Sequence, residues 1–178
     1  MRIEQRAAEA GVAIVWRPFL LGPIFREQGW NDSPFNLYPA KARYMWRDLD
    51  RVCGELGLAF RRPSVFPRNG LRAARIACRH AEEAWLPGFV RAVYHANFAE
   101  DRDPADPAVL TDLLGRLGLP AEEILARGSE DAAKRTLREQ TERAVERGIF
   151  GAPSFWVDGE LHWGNDRMDA ALRAAAAH

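Results

Sequence analysis

A proline that precedes an apolar strand, followed by a tight turn and a second strand, limits the possible folds of this chain more than any other feature. The segment covers residues 148–160. Proline has no N–H to donate to a sheet, so Pro153 is expected at a strand start, where the amides just before it are free to meet a ligand. Asp158-Gly159, placed between two apolar runs, predicts a β-hairpin.

The residues on either side of this hairpin predict an α/β chain. Residues 164–169 read as a helix start in which Asn165 and Asp166 are capping candidates. Near the other end, the β-rich apolar run Val12–Trp16 predicts a buried strand. About a hundred residues with helical spacing lie between the two ends, far more than an ordinary connection of about 4–6 residues. They predict a helical insertion.

Composition excludes several classes of function. The 178 residues carry 25 basic and 25 acidic side chains, so no long-range field favours nucleic acid or an anionic membrane. No signal peptide is evident, and no apolar run approaches the ~18 residues of a membrane span. The two cysteines match neither a redox CxxC pair nor a zinc site, which favours a reducing, cytoplasmic compartment. The histidines show no metal-ligand spacing, so no metal is expected.

Three stretches of the chain resemble a known enzyme family. Residues 16–22, 39–49 and 148–169 are together similar to 2-hydroxychromene-2-carboxylate isomerases, which group with the kappa-class glutathione transferases in the thioredoxin superfamily. The resemblance extends over essentially the whole chain. It implies an α/β fold, namely a thioredoxin-like sheet domain (N-terminally incomplete) formed by 1–38 and 148–178, with a large all-α insertion domain at 39–147.

The resemblance also implies glutathione as a cofactor. It implies a cis peptide between Ala152 and Pro153, with the backbone of Ala152 pairing with the cysteinyl part of glutathione. Asn165 and Asp166 match positions that hold the γ-glutamyl end, where helix-terminal amides attract a carboxylate and an acid pairs with an ammonium. Further candidate cofactor-binding residues are Asn31, Lys41 and Asn69.

Four of these residues also have a purely structural interpretation. Asp166 is a possible helix cap, and the preceding Gly-Ala-Pro sequence is what favours a ligand contact instead. Asn31 lies in a polar loop, where an Asx turn is about as frequent as a ligand role. Lys41 fits a solvated helix position, and Asn69 fits a turn or a cap.

The reaction implied by the resemblance is the isomerisation of 2-hydroxychromene-2-carboxylate to trans-o-hydroxybenzylidenepyruvate in aromatic-compound catabolism. A glutathione thiolate adds to the ring-opened conjugated system, the resulting single bond rotates, and the thiolate leaves. The partner is thus a small aromatic carboxylate, whose charge requires a cation. The sequence does not identify the arginine that supplies it. The family forms dimers, so a homodimer is expected.

The chain departs from the family pattern at its start. The family begins with a strand and a Ser-Pro turn whose serine hydroxyl hydrogen-bonds the glutathione sulfur. Here the segment that begins at Met1 resembles the middle of the helix after that turn. No catalytic residue is therefore assigned, and the serine is expected upstream of Met1. Ser33-Pro34 imitates the turn but follows the wrong strand. A misassigned start codon is favoured over truncation or a strand supplied by another subunit.

Three other functions remain as alternatives. A kappa-like glutathione transferase or peroxidase would use the same binding residues. A non-catalytic thioredoxin-fold binding protein is the second, because the serine turn has no counterpart in the sequence. A thiol–disulfide oxidoreductase is disfavoured, since the chain lacks a CxxC pair.

Overall fold

The computed structural model describes residues 2–30 and 32–177, and helices dominate these ranges. The α-helices are α1 (Ile3–Glu9), α2 (Leu21–Glu27), α3 (Pro34–Leu37), α4 (Pro39–Glu55), α5 (Leu71–Arg79), α6 (Leu86–Phe98), α7 (Pro107–Arg116), α8 (Ala121–Ser129), α9 (Asp131–Glu146) and α10 (Met168–Ala176). The helical spacing in the middle of the chain predicts a helical insertion, and α4 to α9 occupy this part of the structure.

The predicted hairpin is present. Strand β1 (Ser154–Val157) pairs antiparallel with β2 (Glu160–Trp163), and Ser154 lies opposite Trp163. Asp158 and Gly159 both have left-handed φ angles, of 45° and 89°. This backbone suits a two-residue turn, which explains why an Asp-Gly pair occurs there.

The predicted strand at Val12–Trp16 is wrong. Within the described ranges the sheet consists of β1 and β2, and residues 13–16 form no backbone hydrogen bond. Val12 and Ile14 still pack with Phe155 against buried side chains of α1 and α10, whereas Val15 is 63% exposed. The apolar run is therefore laid out like a strand, but a strand also requires a hydrogen-bonding neighbour, and none of the described residues provides one.

Two other local predictions are wrong. Turn-forming residues at 29–39 predict a loop, but this stretch contains the short helix α3. Apolar residues at helical spacing predict a helix over residues 71–84, but α5 ends at Arg79 and turns lead from there into α6. Pro87 stands in the first turn of α6, where its missing N–H has no cost.

The largest buried cluster lies among α5, α6, α7 and α8. Ile76, Leu86, Leu110 and Leu114 are completely or almost completely inaccessible to solvent, and Phe89 is nearly so. Burial of each such side chain away from water stabilises the folded state by about 1.5–3 kcal/mol. Trp16 packs against this cluster from the N-terminal segment. The division at residues 38 and 147 stays a prediction.

In residues 2–30 and 32–177, no helix is long and apolar enough to cross a membrane. Both cysteines are free thiols. Burial raises the pKa of the Cys78 thiol to about 11, an effect that the Arg17 guanidinium only partly opposes. Burial, and to a lesser degree the Asp50 carboxylate, also raises the pKa of Cys53.

Candidate functional site

The structure brings together the open end of the hairpin and the start of the last helix. The Ala152–Pro153 peptide is cis, and both residues are exposed to solvent. The main-chain N–H of Gly164 donates a hydrogen bond of 2.9 Å to the carbonyl oxygen of Pro153. We refer to Ala152, Pro153, Gly164, Asn165 and Asp166 as the cradle.

The first turn after β2 presents free amides. Asn165–Arg167 form a 3₁₀ turn that leads directly into α10. The N–H groups of Asn165 and Asp166 donate no hydrogen bond within the described ranges. Neither side chain caps the helix, so the predicted capping roles are wrong. These amides are open to an acceptor from outside the chain.

Gly164 is required by the geometry of this turn. Its φ of 106° lies in a region that other residues rarely adopt. A Cβ added there would lie 2.5 Å from Oδ1 of Asp166. The carboxylate of Asp166 thus rests against the bare Cα of Gly164, while its side chain remains 75% exposed and lies 3.4 Å from Nε of Arg167.

Residues of α1 hold the other face of this turn. Nη2 of Arg2 donates to Oδ1 of Asn165 over 3.2 Å, and Nη2 of Arg6 donates to Oδ1 of Asp169 over 3.1 Å. These contacts join residues 163 positions apart, and no local sequence pattern predicts them. They fix the start of α10 relative to α1.

An aromatic pair borders the proline side of the cradle. The indole of Trp163 lies against the Cα of Gly151, where a Cβ would approach its Nε1 to 2.3 Å. The ring of Phe150 meets Trp163 edge to face at 4.9 Å between centroids. Ser154 donates its hydroxyl to the carbonyl oxygen of Gly151 over 2.8 Å. The approach to Pro153 is therefore apolar on this side.

The remaining predicted site residues make local contacts or lie outside the description. Nζ of Lys41 sits 4.7 Å from the centroid of the Tyr38 ring. Oδ1 of Asn69 accepts a hydrogen bond from the N–H of Leu71 over 2.9 Å, the turn interaction proposed as its structural alternative. Asn31 lies outside the described residues. Four of the seven candidates thus meet in the cradle.

A second feature is a cleft of about 730 Å³, which we call the arginine cleft. The ring of Trp46 meets that of Phe66 edge to face at 4.8 Å, and the guanidinium of Arg62 lies 5.0 Å from the Trp46 centroid. No motif in the sequence marks Arg62 or Trp46 as part of a binding site, so the sequence does not predict this cleft. Its lining residues are Asn36, Pro39, Ala42, Arg43, Trp46, Arg62, Pro63, Ser64 and Phe66.

A buried ion pair holds one wall of this cleft. Arg68, whose side chain is 6% exposed, pairs with Asp101 and donates to the hydroxyl of Ser64 over 3.1 Å. The N–H of Ser64 donates to Oδ1 of Asp101 over 2.8 Å. These hydrogen bonds, first from Ser64 and then from Arg68, lower the pKa of the Asp101 carboxyl. The segment that carries Ser64 and Phe66 is thereby fixed.

Comparisons with known proteins assign the chain to a family. The DSBA-like thioredoxin domain matches residues 1–176. A 2-hydroxychromene-2-carboxylate isomerase from Pseudomonas putida is 31% identical over 173 residues, which cover 94% of this chain and 81% of that protein. The chain belongs to the DsbA-like thioredoxin family, among the 2-hydroxychromene-2-carboxylate isomerases.

Other relatives agree with this assignment. An isomerase of the same name from Sphingobium xenophagum is 29% identical over 171 residues, covering 95% of this chain and 86% of that protein. A glutathione S-transferase kappa 2 from Caenorhabditis elegans is 25% identical over 169 residues, covering 87% and 75%. A solved structure of a 2-hydroxychromene-2-carboxylate isomerase superposes with a TM-score of 0.85 at 26% identity, covering 97% of this chain and 84% of that one.

These findings confirm the predicted family and the thioredoxin-like α/β fold with a helical insertion. They also confirm that the chain is an enzyme of an isomerase family. The cradle lies within residues 148–169, one of the three stretches that carry the sequence resemblance.

Proposed function

We propose that this protein binds glutathione in the cradle and isomerises 2-hydroxychromene-2-carboxylate to trans-o-hydroxybenzylidenepyruvate. One observation carries the proposal: the hydrogen bond between Gly164 and Pro153 joins the exposed Ala152, whose main chain has no hydrogen-bond partner among residues 2–30 and 32–177, to the free amides of Asn165 and Asp166. A linear backbone and a charged amino-acid terminus can therefore be bound side by side.

The residues of the cradle fit the parts of glutathione. The free N–H groups of Asn165 and Asp166 suit the γ-glutamyl carboxylate, which the positive end of the last helix also attracts. The exposed carboxylate of Asp166 suits the ammonium group beside it. The exposed backbone of Ala152 offers a main-chain partner for the cysteinyl residue.

When bound, glutathione would supply a thiol for reversible addition to the conjugated substrate. The part of this chain is to fix the position of that thiol beside Pro153 and to provide the apolar wall of Phe150 and Trp163. The family resemblance assigns thiol activation to a serine that matches no residue of this sequence, so we assign that role to none. We further propose a homodimer in the reducing cytoplasm, in accord with two free cysteines.

Titration calorimetry and an activity assay together test this proposal. Glutathione and S-methylglutathione are both expected to bind, since the methyl group does not touch the γ-glutamyl contacts. Isomerisation of the chromene carboxylate is expected with glutathione and not with S-methylglutathione. Failure of both compounds to bind would overturn the proposal. Equal turnover with and without glutathione would overturn the cofactor role.

The nematode kappa-class relative supports a second candidate, a glutathione transferase or peroxidase activity. Both activities would use the same cradle, so binding data alone do not separate them. Conjugation of an electrophile or reduction of a peroxide, without isomerisation, would favour this candidate. Glutathione binding without turnover of any of these substrates would instead favour the non-catalytic binding protein.

A further inference from the structure

We propose that the arginine cleft binds a planar aromatic carboxylate, with Arg43 and Arg62 holding the carboxylate and Phe66, positioned by the buried Trp46, packing against the ring. The identification of this ligand as the substrate rests on the proposed function. The cleft and its charge are independent of it. The proposal supplies the cation that an aromatic carboxylate requires and that the sequence does not identify.

The first argument is uncompensated charge. Neither Arg43 nor Arg62 forms an ion pair with any described residue, and no carboxylate is among the residues that line the cleft. Neighbouring arginines differ: Arg61 lies 3.8 Å from Asp101, and Arg68 pairs with the same carboxylate. Two unneutralised guanidinium groups on one concave surface favour an anion there, and guanidinium matches the planar shape of a carboxylate.

The second argument is the apolar wall. Trp46 is 9% exposed, because it is stacked on Phe60 and meets Phe66 edge to face, so it fixes the position of the half-buried Phe66, which offers the accessible ring surface. A planar ligand ring placed there gains both buried area and aromatic contact. The guanidinium of Arg62 lies on the same Trp46 ring. Cation and aromatic surface are thus adjacent, as a ring that carries a carboxylate requires.

The third argument is size and rigidity. A volume of about 730 Å³ lies within the range of about 300–1,000 Å³ usual for small-molecule sites. The ion pair between Arg68 and Asp101 holds the wall at Ser64. Nδ2 of Asn36 lies 3.4 Å from the carbonyl oxygen of Phe66 and so ties the wall to the segment before α4. The site is therefore largely formed before a ligand arrives.

Titration calorimetry with cinnamate, a planar aromatic carboxylate, tests the proposal without glutathione or turnover. Arg62→Ala and Arg43→Ala are each expected to weaken cinnamate binding about tenfold. Arg61→Ala is the matched control, because it removes the same charge from the adjacent position outside the cleft. It is expected to change the affinity less than twofold. Cinnamamide, which has the ring without the charge, is expected to bind at least tenfold more weakly than cinnamate.

Three results would overturn the proposal. They are equal binding of cinnamate and cinnamamide, an Arg61→Ala effect as large as that of Arg62→Ala, and the absence of any cinnamate binding at millimolar concentration. Thermal unfolding of each variant verifies that it is folded. Because the titration omits glutathione, cinnamate binding that depends on both cleft arginines would stand even if the cradle bound no glutathione, and the two proposals can fail separately.

Discussion

Pro153 and Gly164 are joined by a single main-chain hydrogen bond of 2.9 Å, in which the glycine N–H donates to the proline carbonyl oxygen. This bond couples the hairpin to the first turn of the last helix. It makes the position of the free amides at Asn165 and Asp166 depend on the peptide that precedes β1. The cradle is therefore one structural unit, although its two parts are separated in sequence.

Replacing Asp166 by asparagine should weaken glutathione binding about fivefold, because it removes the charge that pairs with the ligand ammonium. The side chain is 75% exposed, which limits the expected effect. Asp131→Asn is the matched control, since Asp131 also lies in the first turn of a helix but pairs with Lys134 and lies outside the cradle. Calorimetric titration of both variants makes the comparison. Equal affinities for the two variants would contradict the role of Asp166.

Replacing Gly164 by alanine should both destabilise the fold and weaken glutathione binding. The φ of 106° strains any other residue, and the new Cβ would displace the carboxylate of Asp166. The strain should cost about 1–3 kcal/mol in the free energy of unfolding. Gly159→Ala has a similar backbone strain at φ 89° but open space around the added Cβ. It should lose stability and keep its glutathione affinity, as urea unfolding and calorimetry would show.

The Asp101 carboxyl should make stability depend on pH in the acid range. Its pKa is lowered from 3.8 in the folded state, so its stabilising effect is complete above that value and is lost as the pH falls through the folded pKa. Asp101→Asn keeps the left-handed backbone at φ 58°, which asparagine tolerates. The wild type should have a higher Tm than the variant, with the largest difference at about pH 6 and a smaller one below about pH 4. A difference independent of pH would be the contrary result.

The two thiols should react at different rates with iodoacetamide. Burial raises the pKa of Cys78 to about 11, and its Sγ lies 3.5 Å from the carbonyl oxygen of Pro18. At about pH 8 only about one Cys78 in a thousand is a thiolate. Mass spectrometry should detect alkylation at the half-exposed Cys53 first, and at Cys78 only after unfolding in urea. Rapid alkylation of Cys78 in the folded protein would show that it is not buried.

Replacing each of two helical glycines by alanine should change the free energy of unfolding in opposite directions. A Cβ at Gly128 would lie 2.6 Å from Cγ1 of the fully buried Ile76. Gly128→Ala should therefore lower the free energy of unfolding by about 1–3 kcal/mol through overpacking, because this loss exceeds the gain from the higher helix propensity of alanine. Gly115 in α7 has open space around it, so Gly115→Ala should stabilise by about 0.5–1 kcal/mol. Urea unfolding of both variants measures the difference, and destabilisation by both would contradict the packing argument.

Local sequence patterns correctly predict the hairpin, its Asp-Gly turn, the position of Pro153 at a strand start and the helical middle of the chain. These features depend on short-range chemistry: the left-handed turn at Asp158 and Gly159, the missing N–H of proline, and apolar residues at helical spacing. The family resemblance placed Ala152 and Asp166 among the candidate site residues, and the structure brings both into the cradle.

The failed strand prediction and the arginine cleft depend on contacts between segments that are distant in sequence. The apolar run at Val12–Trp16 has the composition of a strand, but strand formation depends on a neighbour that local sequence does not reveal. The arginine cleft unites Trp46 of α4 with Arg62 and Phe66 of a later loop, and the loop is held by Asp101, more than thirty positions further on. Contacts between residues so far apart depend on the path of the whole chain. Whether a charged side chain is exposed is likewise a property of the folded surface and not of the residue type.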